Sequence, residues 1–329
     1  MYAGPMAALS DSPLARVVEL RHLRGGDLDA LLEEETQAWR ETLDWDFRGS
    51  AALVRRFLEM QALNGYALLI NGYPAGYTYY VAEERKGLIG DLYVMKAYLS
   101  VENEERLLSA VVQGLMKTPL IRRIESQLMM LRTGPKIALP EPKYLRTFVR
   151  NFMEIDGRMA GRLPEGRPSQ PVWFDAWSER KQDEAATLIA TAYQGHIDSE
   201  INDQYRSPAG ARRFLMNIVQ FPGCGSFFQP ASFVALEPGS GRLAGICLAS
   251  LVQADVGHVT QVCVSKAARG TGVGYELIRQ SLESLSRHGC RKVTLTVTAS
   301  NGEAIGLYER MGFRKTRNFS AYVWDSSVG

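Results

Sequence analysis

Apolar side chains recur at helical spacing between Asp27 and Arg40, and again across the segment carrying Arg55-Arg56-Phe57-Leu58. Two runs of strand character follow, Tyr66 to Ile70 and Ala75 to Ala82. The same order returns later in the chain. A helical pattern from Asp183 to Tyr193 precedes a helix carrying Arg212-Arg213-Phe214-Leu215, with strand-like runs at Ser226 to Leu236 and Leu243 to Val252. Between the two stretches lies GRLPEGRPSQP, Gly161 to Pro171, where Gly, Pro and Ser interrupt the apolar rhythm; it reads as a linker.

The tightest match joins Ile89-Gly90-Asp91-Leu92-Tyr93-Val94 to Val259-Thr260-Gln261-Val262-Cys263-Val264. Both place apolar residues at the first, fourth and sixth positions. Thirteen residues further on, Leu107-Leu108 and Leu277-Ile278 open a helix, with no gap between the landmarks. The chain therefore reads as two copies of one unit, residues 1–160 and 172–329, joined by the linker 161–171.

Composition adds limits. The 329 residues are 46% hydrophobic and 22% charged, which suits two globular domains and excludes a disordered or collagen-like chain. With Lys+Arg 38 against Asp+Glu 36 there is no broad basic field, so neither a nucleic acid nor a membrane is an expected partner. An anionic ligand has to be held locally. Cys224, Cys247, Cys263 and Cys290 form no CxxC pair and read as reduced core thiols, while His22, His196, His258 and His288 are too scattered for a metal site. No metal is expected. The first residues lack a basic stretch followed by an apolar core, and no run reaches the length of a membrane span, so a cytoplasmic protein is expected.

Candidate chemistry lies in the second copy. Between Val264 and the helix carrying Leu277 stands Arg269-Gly270-Thr271-Gly272-Val273-Gly274. Three alternating glycines let the backbone approach a ligand at a helix N-terminus, where free N–H groups and the helix dipole favour an anion. Arg269 adds a charge whose fork geometry suits phosphate oxygens. A dinucleotide fingerprint would space its last glycines three apart, and these are spaced by two; a phosphate-binding NTPase loop needs Gly-Lys-Ser/Thr, and Gly274 is followed by Tyr275-Glu276. The run alone is also compatible with a turn of no function.

In context, Val262-Cys263-Val264 followed by Arg269-x-x-Gly272-x-Gly274 resembles the acyl-coenzyme A signature of the GNAT N-acetyltransferases. Lys292 to Thr298 alternates as a half-buried strand, and Ser300 with Glu303 has the spacing of a capping box. The following run, Asn301-x-x-Ala304-x-x-Leu307-Tyr308-x-x-x-Gly312-Phe313, is similar to the family's second hallmark. The resemblance implies a mixed α+β fold of two tandem GNAT-like domains, each a splayed mixed sheet flanked by helices. It implies acetyl-CoA as co-substrate, with Val262, Cys263 and Val264 along the pantetheine arm and Arg269, Gly270, Thr271, Gly272, Val273 and Gly274 around the pyrophosphate. Asn301 would reach the pantetheine, and Tyr308 would act as general acid toward the departing thiolate.

A base is needed to take the acceptor ammonium's proton. His258 stands where an acidic residue is often found and is the candidate, with Asp255 nearby. Gln261 cannot accept a proton at neutral pH. A covalent route through Cys263 is the alternative to the direct transfer usual in the family. The acidic segment Gly195 to Tyr205 would select the acceptor, or is simply a solvated loop.

In the first copy Leu99-Ser100-Val101-Glu102-Asn103-Glu104 replaces the glycine run, so carboxylates stand where a diphosphate would sit. Two like charges about 4 Å apart repel by roughly 1 kcal/mol in water and roughly 4 at a surface-like dielectric. The first copy is expected to bind no acetyl-CoA and to pack against the second, wall its acceptor site with Trp39, Trp45 and Phe47, or dock a partner. The reading is thus an N-acetyltransferase acting on a small-molecule or peptide amine, as monomer or homodimer. A non-enzymatic acyl-CoA or metabolite-binding regulator is the rival, as is a transferase of the same fold using a hydroxyl acceptor or another acyl group.

Overall fold

A computed structural model describes residues 14–326 other than 133, 135–137, 222 and 224. The first half runs β1 (Ala15–Glu19), α1 (Asp29–Leu43), α2 (Arg48–Glu59), β2 (Asn64–Ile70), β3 (Tyr73–Glu83), β4 (Lys86–Val94), α3 (Val101–Lys117), β5 (Arg123–Gln127), β6 (Leu145–Asp156) and α4 (Gly157–Ala160). The second runs β7 (Trp173–Ala176), α5 (Gln182–Ala192), α6 (Asp198–Ile201), α7 (Pro208–Gln220), β8 (Ser226–Phe227), β9 (Phe233–Leu236), β10 (Leu243–Gln253), β11 (Val256–Val264), α8 (Val273–His288), β12 (Lys292–Thr298), α9 (Gly302–Arg310) and β13 (Arg314–Asp325). The strand expected over Ser226 to Leu236 is interrupted by a 3-10 turn at Gln229-Pro230-Ala231. Proline cannot donate to a strand ladder, which accounts for the break.

All the strands join one sheet, ordered β1-β2-β3-β4-β5-β13-β6-β12-β11-β10-β9-β7, with β8 beside β10. The order reads alike from both ends because the last strands cross over. β6 leaves the first half to pair with β12, β13 returns to pair with β5, and the two lie antiparallel to each other at the centre. The two edges next to β5 and β12 are thereby covered.

Helices cover both faces. α8 buries Val273, Leu277, Ile278, Leu282 and Leu285 against β10–β12, and each such side chain contributes roughly 1.5–3 kcal/mol. On the opposite face α5 and α7 pack on β10. In the first half α3 lies under β2–β4 and α1 with α2 on the other side. The repeat reaches side-chain detail: Arg55 Nε donates to Asp29 Oδ1 at 2.7 Å, and Arg212 Nε donates to Asp183 Oδ1 at 2.6 Å. Cys247, Cys263 and Cys290 are buried free thiols, and Cys224 lies outside the described residues. Among the described residues no helix is long and apolar enough to cross a membrane, and no three His, Cys, Asp or Glu residues cluster as a metal site.

Candidate active site

β11 and β12 run parallel from Val256↔Lys292 to Val259↔Leu295 and then part. At that point Thr260 is a bulge: Gln261 pairs with Leu248 and Val259 with Ala249, leaving Thr260 between them, its hydroxyl donating to Leu248 O at 2.9 Å. A bulge sharpens local twist, which turns β11 away from β12. The gap borders a cavity of about 990 Å³, lined by Val262, Cys263 and Val264, by Asn301 and by Tyr308 of α9. The Val262 carbonyl accepts from the Tyr193 hydroxyl at 3.3 Å.

The glycine run borders the same cavity. Arg269, Gly270, Gly272 and Gly274 line it, whereas Val273 is wholly buried in the core and the Thr271 hydroxyl turns back to Ala268 O at 2.7 Å. Gly270 and Gly272 have φ of +74° and +90°, which a side chain would strain. Among the described residues nothing accepts from the main-chain N–H groups of Arg269 through Tyr275. Arg269 is anchored by Nη2 donating to Ala192 O at 2.6 Å, at the C-terminal end of α5. One edge of its guanidinium is therefore committed to the fold.

Tyr308 is half-buried, with its ring on Phe313 at 5.8 Å, and its hydroxyl has no hydrogen-bond partner among the described residues. Desolvation chiefly, then Cys247 and Asp198, raises its pKa above the usual phenol value, with Arg150 opposing, so it stays protonated. Asn301, rather than Ser300, caps α9: its Oδ1 accepts from Ala304 N–H at 3.2 Å, and its Nδ2 lies 3.4 Å from His196 Nε2. Burial pushes the Cys263 thiol up to about 12, which keeps it protonated and a poor nucleophile.

His258, expected as the base, is placed elsewhere. It is 4% exposed and absent from the cavity lining, with Nδ1 at 2.8 Å from Thr294 Oγ1 and its ring between Trp45 and Phe152. Burial lowers its pKa to about 3, so the ring is neutral. Trp39 stacks on both Trp45 and Phe47 in the first half's core, and the three line no part of the cavity.

The imidazole that does line the cavity is His196. Its Nδ1 sits between two groups of Asp198, the amide N–H at 3.1 Å and Oδ2 at 3.8 Å. Asp198 Oδ1 in turn accepts from the Thr298 hydroxyl and from Arg150 Nη1 at 3.0 Å. Arg150 also donates to Thr298 Oγ1 (2.8 Å) and Thr296 Oγ1 (3.2 Å). It lies on β6, so the first half places a cation in the second half's cavity. Sequence reasoning located the segment containing His196 and Asp198 but missed Arg150, because nothing local marks a strand that crosses over.

The segment carrying His196 and Asp198 is also held by buried charges of the first half. Arg123 Nη2 donates to Glu200 O at 2.6 Å, Glu125 Oε1 accepts from Asp203 N–H at 2.9 Å, and Lys86 pairs with both Asp203 and Glu125.

Residues 196–313 match the model of the family described as Acetyltransferase (GNAT) family. Over that stretch the chain is similar to the GNAT acetyltransferases. Over 107 residues it is 32% identical to the N-alpha-acetyltransferase MAK3 of Arabidopsis thaliana, covering 30% of this chain and 56% of the relative. Over 103 residues it is 36% identical to a mycothiol acetyltransferase of Mycobacterium sp. (strain JLS), covering 30% of this chain and 34% of that one. The chain thus spans only about half and a third of these relatives' lengths. A GCN5-related N-acetyltransferase from Sphaerobacter thermophilus superimposes with a TM-score of 0.65 at 19% identity, over 97% of each chain. A tandem GNAT protein from the clavulanic acid biosynthesis pathway gives 0.61 at 15% identity, over 95% of this chain and 99% of that one. At such identities the likeness is one of fold: two GNAT-like units in tandem.

The first unit repeats the parting of the strands without the glycine run. β4 and β5 pair only from Lys86↔Arg123 to Ile89↔Ser126, and the bulge falls at Gly90, the position equivalent to Thr260. Beyond it, Ser100 caps α3 by accepting from Asn103 N–H, Glu104 accepts from Arg132 N–H at 3.0 Å and Glu105 from Ala138 N–H at 2.6 Å. These two carboxylates bind the chain's own backbone there. Nearby, Glu35 is wholly buried, accepting from Tyr77 and Trp39, and desolvation with the neighbouring Asp91 carboxylate raises its pKa well above the usual range.

Proposed function

We propose that the chain is an N-acetyltransferase whose second unit, residues 172–329, moves an acetyl group from acetyl-CoA to an amine by direct attack, while the first, residues 1–160, binds no acetyl-CoA. The reading rests on one observation: a run of unpaired main-chain N–H groups and an unpartnered, protonated tyrosine hydroxyl open into the same cavity beside the parted strands. In it, Arg269 and the backbone of Gly270, Gly272 and Gly274 hold the diphosphate, and Val262 to Val264 with Asn301 align the pantetheine. His196, in place of His258, receives the ammonium proton, and its tautomer follows which group of Asp198 it faces. The amine nitrogen then bonds to the acyl carbon, the C–S bond breaks, and Tyr308 gives its proton to the sulfur. Burial of Cys263 in thiol form argues against a covalent route.

The test is release of free thiol from acetyl-CoA across a panel of amines, which the relatives' names extend to α-amines and a mycothiol-type acceptor. Tyr308→Phe is expected to lose turnover by ~100-fold and to keep coenzyme A binding by calorimetry. Coenzyme A uptake without thiol release in either form would establish a binding protein instead. Mass analysis of the product distinguishes an amide from an ester.

A further inference from the structure

The linker is seated on the glycine run. Ser169 N–H donates to Thr271 O at 2.8 Å, Gly166 N–H to Glu276 Oε2 at 2.8 Å, and the Tyr275 hydroxyl to Pro164 O at 2.8 Å. Glu276 is held in turn by Arg279 at 2.7 Å and is buried. The fit is close. A Cβ on Gly166 would fall 2.8 Å from the Tyr275 ring and 2.9 Å from the Glu276 carboxylate, and one on Gly272 would fall 3.4 Å from Pro168 Cα.

The first of these bonds bears on the cradle directly. In a trans peptide the carbonyl and the following N–H point in opposite directions. Turning the Thr271 carbonyl toward the linker therefore turns the Gly272 N–H the other way, toward the cavity that Gly272 lines. Gly272, at positive φ, leaves one of that peptide's two flanking dihedrals free to turn, and its reversed form would present an oxygen to an anion. Thr271 itself makes no contact with the cavity, which frees its carbonyl for this role.

The geometry points to the linker as a working part of the coenzyme site: the Ser169 main-chain N–H is a positioning group that holds the Thr271–Gly272 peptide with its donor toward the coenzyme's diphosphate. This rests on the reading that residues 269–274 hold that diphosphate. Ser169→Pro removes the N–H from the full-length chain and leaves every lining residue in place. Calorimetry is expected to show coenzyme A binding at least ~10-fold weaker, the scale of one hydrogen bond to a charged group. Pantetheine, which carries no phosphate, is expected to bind within about twofold of wild type.

Unchanged coenzyme A affinity in a folded Ser169→Pro variant overturns the inference, as does an equal loss for both ligands, which would mark general distortion. Hydrogen exchange on the wild-type chain needs no variant: the Ser169 amide is expected to be protected without ligand and further slowed by coenzyme A, and free exchange in both states overturns the inference. Wild type that takes up no coenzyme A defeats the proposed function as well, so the two failures are separable.

Discussion

Two buried groups tie stability to pH in opposite senses. His258 has its folded pKa depressed to about 3 by burial, so the unfolded chain binds a proton that the folded chain refuses. Its contribution to stability is whole above the ordinary imidazole range, about 6.5, and is lost as pH falls toward 3. Chemical denaturation of His258→Gln should show a shallower loss between those values than wild type. Glu35 is the reverse case: its raised pKa means the folded state keeps a proton the unfolded state has given up, so stability falls as pH rises from the ordinary carboxyl value of 4.5. Relative to wild type, Glu35→Gln should gain stability across that rise. In sequence both residues look like site candidates or helix polars; only burial, a product of packing from distant segments, reveals what they do.

Among the elements, those defined by local pattern were legible and those defined by pairing were not. The strand Lys292–Thr298 falls where its alternating sequence puts it, but it is not half-buried: Thr294 and Thr298 are as buried as the apolar positions. The glycine run announced its own loop, since three alternating glycines serve neither helix nor strand. Gly272→Glu, placing a carboxylate at a φ of +90° in that loop, is expected to weaken coenzyme A binding at least ~10-fold by calorimetry. β6, by contrast, carries Arg150 into the other half's cavity, and no periodicity within Leu145–Asp156 tells which strand it will lie beside. The same gap hides the depth of His258, which sits two residues before the splay against Trp45 and Phe152 of the first half. Arg150→Gln leaves Asp198 without its cation and is expected to cost about 3 kcal/mol in stability by urea titration. Turnover with any accepted amine should fall while coenzyme A affinity stays within about twofold, and Arg150→Lys should recover part of the loss.

For the whole molecule the decisive feature is the mirror order of the sheet about the β13–β6 pair. Residues 172–329 expressed alone would lack the strand that covers β12 and would leave β13 without either neighbour. That fragment is expected to aggregate or to exchange strands with its own copies, seen as a shift in elution by size-exclusion chromatography, and co-expression with residues 1–171 should restore the monomer-sized species. The first half therefore completes the second half's sheet, while its own Glu104 and Glu105 accept from the backbone at Arg132 and Ala138. A further consequence concerns breakage: a protease that nicks the backbone between residues 161 and 171 would yield two fragments on a denaturing gel, yet under native conditions neither fragment could leave, because each is stitched through the other by its terminal ribbon.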